Sequence, residues 1–77
     1  MTKPVFILGI DLSTTRLDCA TLPDGLGFHV PYSSSGLRKL IALLRERRAD
    51  GQEVLAAVEA TGGYERTLVE AFLAAGL

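Results

Sequence analysis

The predicted fold is built around the segment Val5-Phe6-Ile7-Leu8-Gly9-Ile10-Asp11. Its first six residues are apolar and rich in strand formers, and such an unbroken run is typical of a strand covered on both faces. The stretch Val54-Leu55-Ala56-Ala57-Val58-Glu59 repeats the pattern, because five apolar residues again lead to an acid. The sequence therefore predicts two buried strands, each with a carboxylate at its carboxyl end.

Between these two strands, the sequence predicts two further strands and a helix. Leu17 to Leu22 alternates like a strand and is followed by the turn Pro23-Asp24-Gly25. A short edge strand, which tolerates proline, is predicted from Phe28 to Tyr32. Three serines, at positions 33–35, then offer N-caps for a helix. Its apolar stripe follows helical spacing at Leu37, Leu40, Ile41 and Leu44.

A second helix is predicted from about Gly63 to Ala75, with Thr61 as its cap. Its apolar stripe is Leu68, Val69, Phe72 and Leu73. The order β-β-β-α-β-α predicts an α/β fold in which a meander is followed by a crossover, so that the fourth strand runs parallel to the first. If these two strands are neighbours, about 4.8 Å apart, Asp11 and Glu59 lie side by side.

The pair Asp11 and Glu59 is the candidate catalytic and metal-binding site. Two adjacent carboxylates repel each other unless a cation lies between them. Their hard oxygen ligands suit Mg²⁺ or Mn²⁺, ions that activate a nucleophile and stabilise a leaving oxygen on phosphorus. The spacing leaves an alternative open, in which Asp11 only ends a strand and Glu59 joins the first turn of the second helix.

Composition excludes several classes of protein. The 77 residues allow one small domain, and 8 Lys+Arg against 9 Asp+Glu give a net charge of −1, unlike a polybasic nucleic-acid binder. The single cysteine, Cys19, excludes an internal disulfide scaffold, and the Cys and His spacing excludes a zinc module. Because the longest apolar run is too short for a membrane span or a signal peptide, we expect a cytoplasmic protein without membrane partners.

Three segments of the chain carry a family resemblance. They are Gly9-Ile10-Asp11-Leu12-Ser13, Leu17-Asp18-Cys19-Ala20 and Val58-Glu59-Ala60-Thr61-Gly62-Gly63-Tyr64. In this order they resemble the G-I-D-x-S, L-D-x-A and E-A-T-G-x-Y motifs of the DEDD-type insertion-sequence transposases. This is the IS-one-ten group, which is related to the pilin-gene invertases. The last segment is the specific one, since a lone G-I-D-x-S is common.

The resemblance implies a ribonuclease-H-like (RuvC-like) fold and metal-dependent DNA transposition, a form of DNA recombination. It places the first two of four catalytic acids on Asp11 and Glu59, with Mg²⁺ or Mn²⁺ as cofactor, DNA as partner and a guide RNA as a further partner. The other two acids fall beyond Leu77. Residues 1–77 are therefore expected to be the N-terminal part of the catalytic domain, truncated before a fifth strand and inactive alone.

Without a fifth strand beside it, the fourth strand would present an exposed apolar edge, which natural sheets avoid. We therefore expect an isolated chain of this length to be marginally stable, or to form a homo-oligomer through that edge.

Two other functions remain open from the sequence. Gly9 to Thr15 also resembles the first phosphate loop of the sugar-kinase, actin and chaperone ATPases, although Ser13 stands where that loop has glycine for close backbone approach. A non-catalytic remnant of a transposase is the third possibility. Asp18 is predicted to be a turn or sheet-face partner, His29 a surface residue and Cys19 a small buried side chain.

Overall fold

The computed structural model describes residues 3–59 and 63–77. Its elements, in chain order, are β1 (Phe6–Leu12), β2 (Arg16–Leu22), β3 (Gly27–Pro31), α1 (Ser34–Ala49), β4 (Val54–Glu59) and α2 (Glu65–Ala74). The predicted order of strands and helices is confirmed, with element ends that differ by at most two residues. β1 outlasts its apolar run because Asp11 and Leu12 still pair with β2, so Asp11 lies inside the strand.

The four strands form one mixed sheet in the order β3-β2-β1-β4. β1, β2 and β3 are an antiparallel meander, and β4 pairs with β1 in parallel. The predicted meander and crossover are both confirmed, and α1 supplies the crossover. The molecule is a small α/β fold with a four-stranded sheet and two helices.

Both helices pack against the same face of the sheet. The buried apolar side chains form one cluster, made of Phe6, Leu8, Ile10, Leu17, Cys19, Val30, Leu37, Leu40, Leu44, Leu68 and Phe72. On the other face, Ile7 is only half-buried, and Leu22 and Leu55 are more than half exposed. The prediction that β1 is covered on both faces is therefore wrong within the described residues, because no helix of that part of the chain covers the second face. We call this the open face.

The ends of α1 follow ordinary capping chemistry. The Ser33 side chain accepts a hydrogen bond from the Gly36 backbone N–H at 3.3 Å, which confirms the predicted serine cap. At the other end, Gly51 adopts a φ of 81°, a conformation that suits glycine and lets the chain leave the helix. This turn leads the chain into β4, which runs parallel to β1.

The second helix is buried along half of its predicted stripe. Leu68 and Phe72 are buried, whereas Val69 and Leu73 are exposed beside the free edge of β4. Thr61, its predicted cap, lies outside the described residues. Within the described ranges, no helix combines the length and apolar character needed to cross a membrane.

Arginines at the end of α1 hold the end of α2. Arg45 Nη2 donates to the Ala75 carbonyl at 3.1 Å, and Arg48 Nη1 donates to the Gly76 carbonyl at 2.8 Å. Ala75 is the C-cap residue of α2 and Gly76 follows it, where the chain leaves the helix and backbone oxygens lack intrahelical partners. The two cations therefore join the helices into one layer.

Candidate functional site

Three carboxylates lie in one row across the open face. Asp11 on β1 is in register with Glu59 on β4 and with Asp18 on β2. Residues in register on paired strands project to the same face of a sheet. We call Asp18, Asp11 and Glu59 the acidic row; His29 on β3 is in register with Asp18 and extends the row by one strand.

The sheet places both predicted site residues together. Asp11 and Glu59 are exposed, and they occupy neighbouring positions on strands that lie side by side. Glu59 is the last residue of β4, and α2 starts only at Glu65. The alternative in which Glu59 belongs to the first turn of the second helix is therefore wrong.

Small side chains form the floor of a groove beside the acidic row. Gly9, one step before Asp11 on its face of β1, is in register with Ala20 on β2 and Ala57 on β4. A groove of about 510 Å³ opens over these positions, and all three acids of the row line it. The three carboxylates therefore lie along the edge of this groove, which the small side chains of its floor leave open.

Within the residues that the structure describes, one ion pair involves the acidic row. Arg16 Nε donates to Asp18 Oδ2 at 3.2 Å, and both side chains are about half exposed, at 56% and 46%. Exposed pairs of this kind add little to stability. The prediction of Asp18 as a sheet-face partner is confirmed. Among residues 3–59 and 63–77, neither Asp11 nor Glu59 forms an ion pair, so their charges face the groove without a counter-ion from those residues.

The hairpin turn between β1 and β2 sets this register. The Ser13 N–H donates to the Arg16 carbonyl at 3.0 Å, and Ser13 Oγ accepts from the Arg16 N–H at 3.1 Å. Closing the turn between these residues brings Asp18 opposite Asp11. The hydroxyl of Ser13 is therefore engaged in the turn, as a polar hairpin predicts.

Cys19 adds no ligand to the site. Its side chain is buried in the core, and burial, with a smaller effect from the nearby Asp18 carboxylate, raises the pKa of the thiol to about 11. A neutral thiol is a poor metal ligand, since the thiolate is the form that binds. The prediction of Cys19 as a small buried side chain is confirmed.

The donor set suits a hard cation bound by few protein ligands. In the part of the chain that the structure describes, no group of three or more His, Cys, Asp or Glu side chains is placed to hold a metal ion. Asp11 and Glu59, in register on adjacent strands, offer two carboxylates. Mg²⁺ commonly binds to one or two carboxylates and retains several waters, so such a set fits that ion and its analogue Mn²⁺.

Tyr32 fixes the start of α2, a role that the sequence does not reveal. Its hydroxyl donates to the Tyr64 carbonyl and accepts from the Leu68 N–H at 3.2 Å. The two partners are 32 and 36 positions away. Local pattern places Tyr32 at a strand end, and only the packing of α2 brings its backbone to the hydroxyl. The two hydrogen bonds hold the N-terminal end of α2 against the end of β3.

Removing the Tyr32 hydroxyl should loosen α2 without removing the ring. For Tyr32→Phe we expect a loss of about 1–2 kcal/mol in the free energy of unfolding, since each hydrogen bond contributes about 0.5–1.5 kcal/mol. Urea unfolding measures the loss. The Leu68 amide should exchange faster in the variant than in the wild type, and this increase should be larger than any increase at Leu40 in α1. Equal protection of Leu68 in both proteins would contradict this role.

Comparison of the sequence with protein-family models and with curated proteins gives no match.

Proposed function

We propose that residues 1–77 form the N-terminal part of a ribonuclease-H-like (RuvC-like) catalytic domain of a DEDD-type transposase. In this proposal, Asp11 and Glu59 bind Mg²⁺ or Mn²⁺ for cleavage and transfer of DNA strands. One observation carries it: the two acids lie in register on adjacent parallel strands, exposed on the open face. The G-I-D-x-S and E-A-T-G-x-Y motifs lead independently to the same pair.

The strand order supports the fold part of the proposal. The proposed ribonuclease-H-like sheet has the order β-β-β-α-β-α that the residue patterns predict, and the chain has that order with β1 and β4 parallel. Ligands of open α/β sheets bind outside the carboxyl ends of the strands. Glu59 is the last residue of β4, and Asp11 lies one residue before the carboxyl end of β1.

The residues of this chain have separate tasks at the site. Asp11 and Glu59 hold the cation from two paired strands, whose backbone hydrogen bonds keep the ligands in place. A bound divalent ion supplies Lewis-acid activation of a water or hydroxyl nucleophile and stabilises the leaving oxygen on phosphorus. Gly9 and Ala57 leave the groove beside the acids open to a nucleic-acid backbone.

Charge supports the need for a cation when DNA binds. The chain has a net charge of −1, and the open face carries three carboxylates in one row. A phosphodiester backbone would be repelled by these acids unless positive charge lies between them. Two further acids beyond Leu77 and a guide RNA belong to the same proposal on the strength of the resemblance, and a cytoplasmic location belongs to it because the apolar runs of the sequence are short.

A titration with Mn²⁺ tests the proposal on this chain. Substoichiometric Mn²⁺ should broaden the amide signals of Ile10 to Leu12 and of Val58 and Glu59 first, because paramagnetic broadening falls steeply with distance. Signals from α1, on the other face of the sheet, should broaden last. Broadening centred on another acidic residue, such as Asp24 or Glu70, or no broadening, would overturn the metal assignment.

A second arm of the titration separates the candidate classes of function. With Mn²⁺ present, we expect a labelled DNA duplex to bind, and the chelator EDTA should release it. Calorimetry with ATP and Mg²⁺ tests the ATPase alternative, which requires tight, Mg²⁺-dependent nucleotide binding. Tight ATP binding without cation-dependent DNA binding would replace the transposase proposal with that alternative.

A further inference from the structure

We infer that Asp18 and Arg16 tune the cation affinity of the Asp11–Glu59 pair, with Asp18 strengthening it and Arg16 weakening it. Both act as positioning residues through their charge rather than as ligands. The inference rests on the proposed function, because it concerns the same site.

The register of the sheet puts Asp18 beside the site. Asp11 occupies the middle of the acidic row, with Glu59 on one side and Asp18 on the other. Side chains directly opposite each other on antiparallel strands have Cβ atoms about 4.5–5.5 Å apart. A cation held by Asp11 and Glu59 would therefore lie within the field of a third carboxylate.

Asp18 does not complete a three-ligand set. Within the described residues, no three acidic, histidine or cysteine side chains are grouped to hold a metal ion. Its Oδ2 instead accepts a hydrogen bond from Arg16 Nε. The carboxylate is therefore oriented along its own strand, and its effect on a cation at Asp11 and Glu59 is electrostatic.

Arg16 counteracts the acids from the same face. It lies two residues before Asp18 on β2, so both side chains project to the open face. The guanidinium offsets one of the three negative charges, which reduces the repulsion within the row when no cation is bound. The same positive charge repels a metal ion that approaches Asp11 and Glu59.

Opposite effects of two substitutions distinguish this role from a merely structural one. Asp18→Asn and Arg16→Gln both break the ion pair of 3.2 Å, so a structural role predicts changes of the same sign. The electrostatic role predicts opposite signs, because one variant removes a negative charge and the other removes a positive charge. The ratio of the two Mn²⁺ affinities is the decisive quantity.

Mn²⁺ affinity of the full chain is measured by electron paramagnetic resonance of the free ion. Asp18→Asn should weaken binding roughly three- to tenfold, as expected for one charge acting over a few ångströms through a solvent-like dielectric. Arg16→Gln should tighten binding roughly two- to fivefold by the same interaction. Both effects should shrink at about 1 M salt, where the screening length falls to about 3 Å.

Charge-matched variants control the experiment. Glu46→Gln removes one negative charge from α1, on the other face of the sheet, and should leave the affinity unchanged. Asp18→Glu and Arg16→Lys keep their charges and should remain near the wild-type affinity. If Asp18→Asn does not fold, the comparison of Arg16→Gln with Arg16→Lys decides the question alone.

Each result either supports or overturns the inference. Changes of equal sign, no change, or complete loss of binding in Asp18→Asn would overturn it, the last because Asp18 would then be a ligand. If the wild-type chain binds Mn²⁺ at Asp11 and Glu59 in these cases, the proposed function still stands. If the wild-type chain binds no Mn²⁺, the proposed function and this inference both fail.

Discussion

Replacing Asp11 by asparagine is expected to abolish Mn²⁺ binding and, at the same time, to make the cation-free chain more stable. Asp11 has a carboxylate in register on each side, Asp18 on β2 and Glu59 on β4. Like charges directly opposite each other in a sheet destabilise it, by about 0.2–1 kcal/mol for a pair. Asparagine removes both repulsions and keeps the size of the side chain. Asp11 is therefore required for the proposed function but lowers the stability of the cation-free chain.

The two effects are measured separately. We expect Asp11→Asn to weaken Mn²⁺ binding by more than about 100-fold, since changes to residues that only support ligands already cost 10–100-fold. Thermal unfolding without metal should show a higher midpoint, by a few degrees, because about 1 kcal/mol shifts a domain of this size by about 4–8 °C. The gain should fall as salt is added, since these charges are exposed.

Glu59→Gln is the matched variant for this prediction. It should also abolish Mn²⁺ binding, but the gain in stability should be smaller. Glu59 has one carboxylate neighbour in the row and lies at the end of the edge strand β4. If Asp11→Asn kept near wild-type affinity for Mn²⁺, or if it lowered the cation-free stability at low salt, the placement of the site would be wrong.

The pairing of Asp11 with Glu59 could be predicted because it depends on two strong regularities. Two apolar runs end in acids, and a helix between strands favours a parallel return. The position of Asp18 in the same row depends instead on which residues close the β1–β2 hairpin. A slip of one residue in that turn would send Asp18 to the opposite face of β2 relative to Asp11. The hydrogen bonds between Ser13 and Arg16 fix this register. No pattern in the sequence predicts which residues close the turn.

The open face could not be predicted from hydrophobic pattern alone. β1 appears as a fully buried strand because Ile7 and Gly9 carry no polar group, although both lie on the open face. In the same way, Val69 and Leu73 continue the apolar stripe of α2 but remain exposed. Apolar character shows that a residue can be buried, whereas burial itself depends on what else packs there. Self-association through the edge of β4 stays a prediction for the same reason.

Gly36→Ala is expected to destabilise the fold by an amount comparable to its total stability. Gly36 is buried in the first turn of α1, where the helix passes over the end of β3. A Cβ atom at this position would lie 1.8 Å from the Pro31 carbonyl oxygen and 3.0 Å from its carbon. Because these are backbone atoms of β3, the clash cannot be relieved by a side-chain rotation. Ordinarily, glycine to alanine in a helix stabilises by about 1 kcal/mol; here the sign is reversed.

The size of this effect follows from how little stability a small chain has. A single core in 70–80 residues supplies about 3–5 kcal/mol, and relief of the clash requires α1 to move off the sheet that buries Leu37 and Leu40. Circular dichroism and urea unfolding should show loss of the cooperative transition. Gly9→Ala is the matched control: its Cβ would meet the Ala20 carbonyl oxygen at 3.6 Å, an ordinary contact.

Gly36 and Gly9 also separate folding from function. Because α1 is the crossover that returns β4 beside β1, Gly36→Ala should remove Mn²⁺ binding through loss of the parallel strand pair, far from either carboxylate. Gly9 lies two residues before Asp11, on the floor of the groove. Gly9→Ala adds a methyl group there and should keep both the fold and Mn²⁺ binding. A Gly36→Ala chain that unfolds cooperatively within about 1 kcal/mol of the wild type would show that helix and strand can separate at Pro31 at little cost.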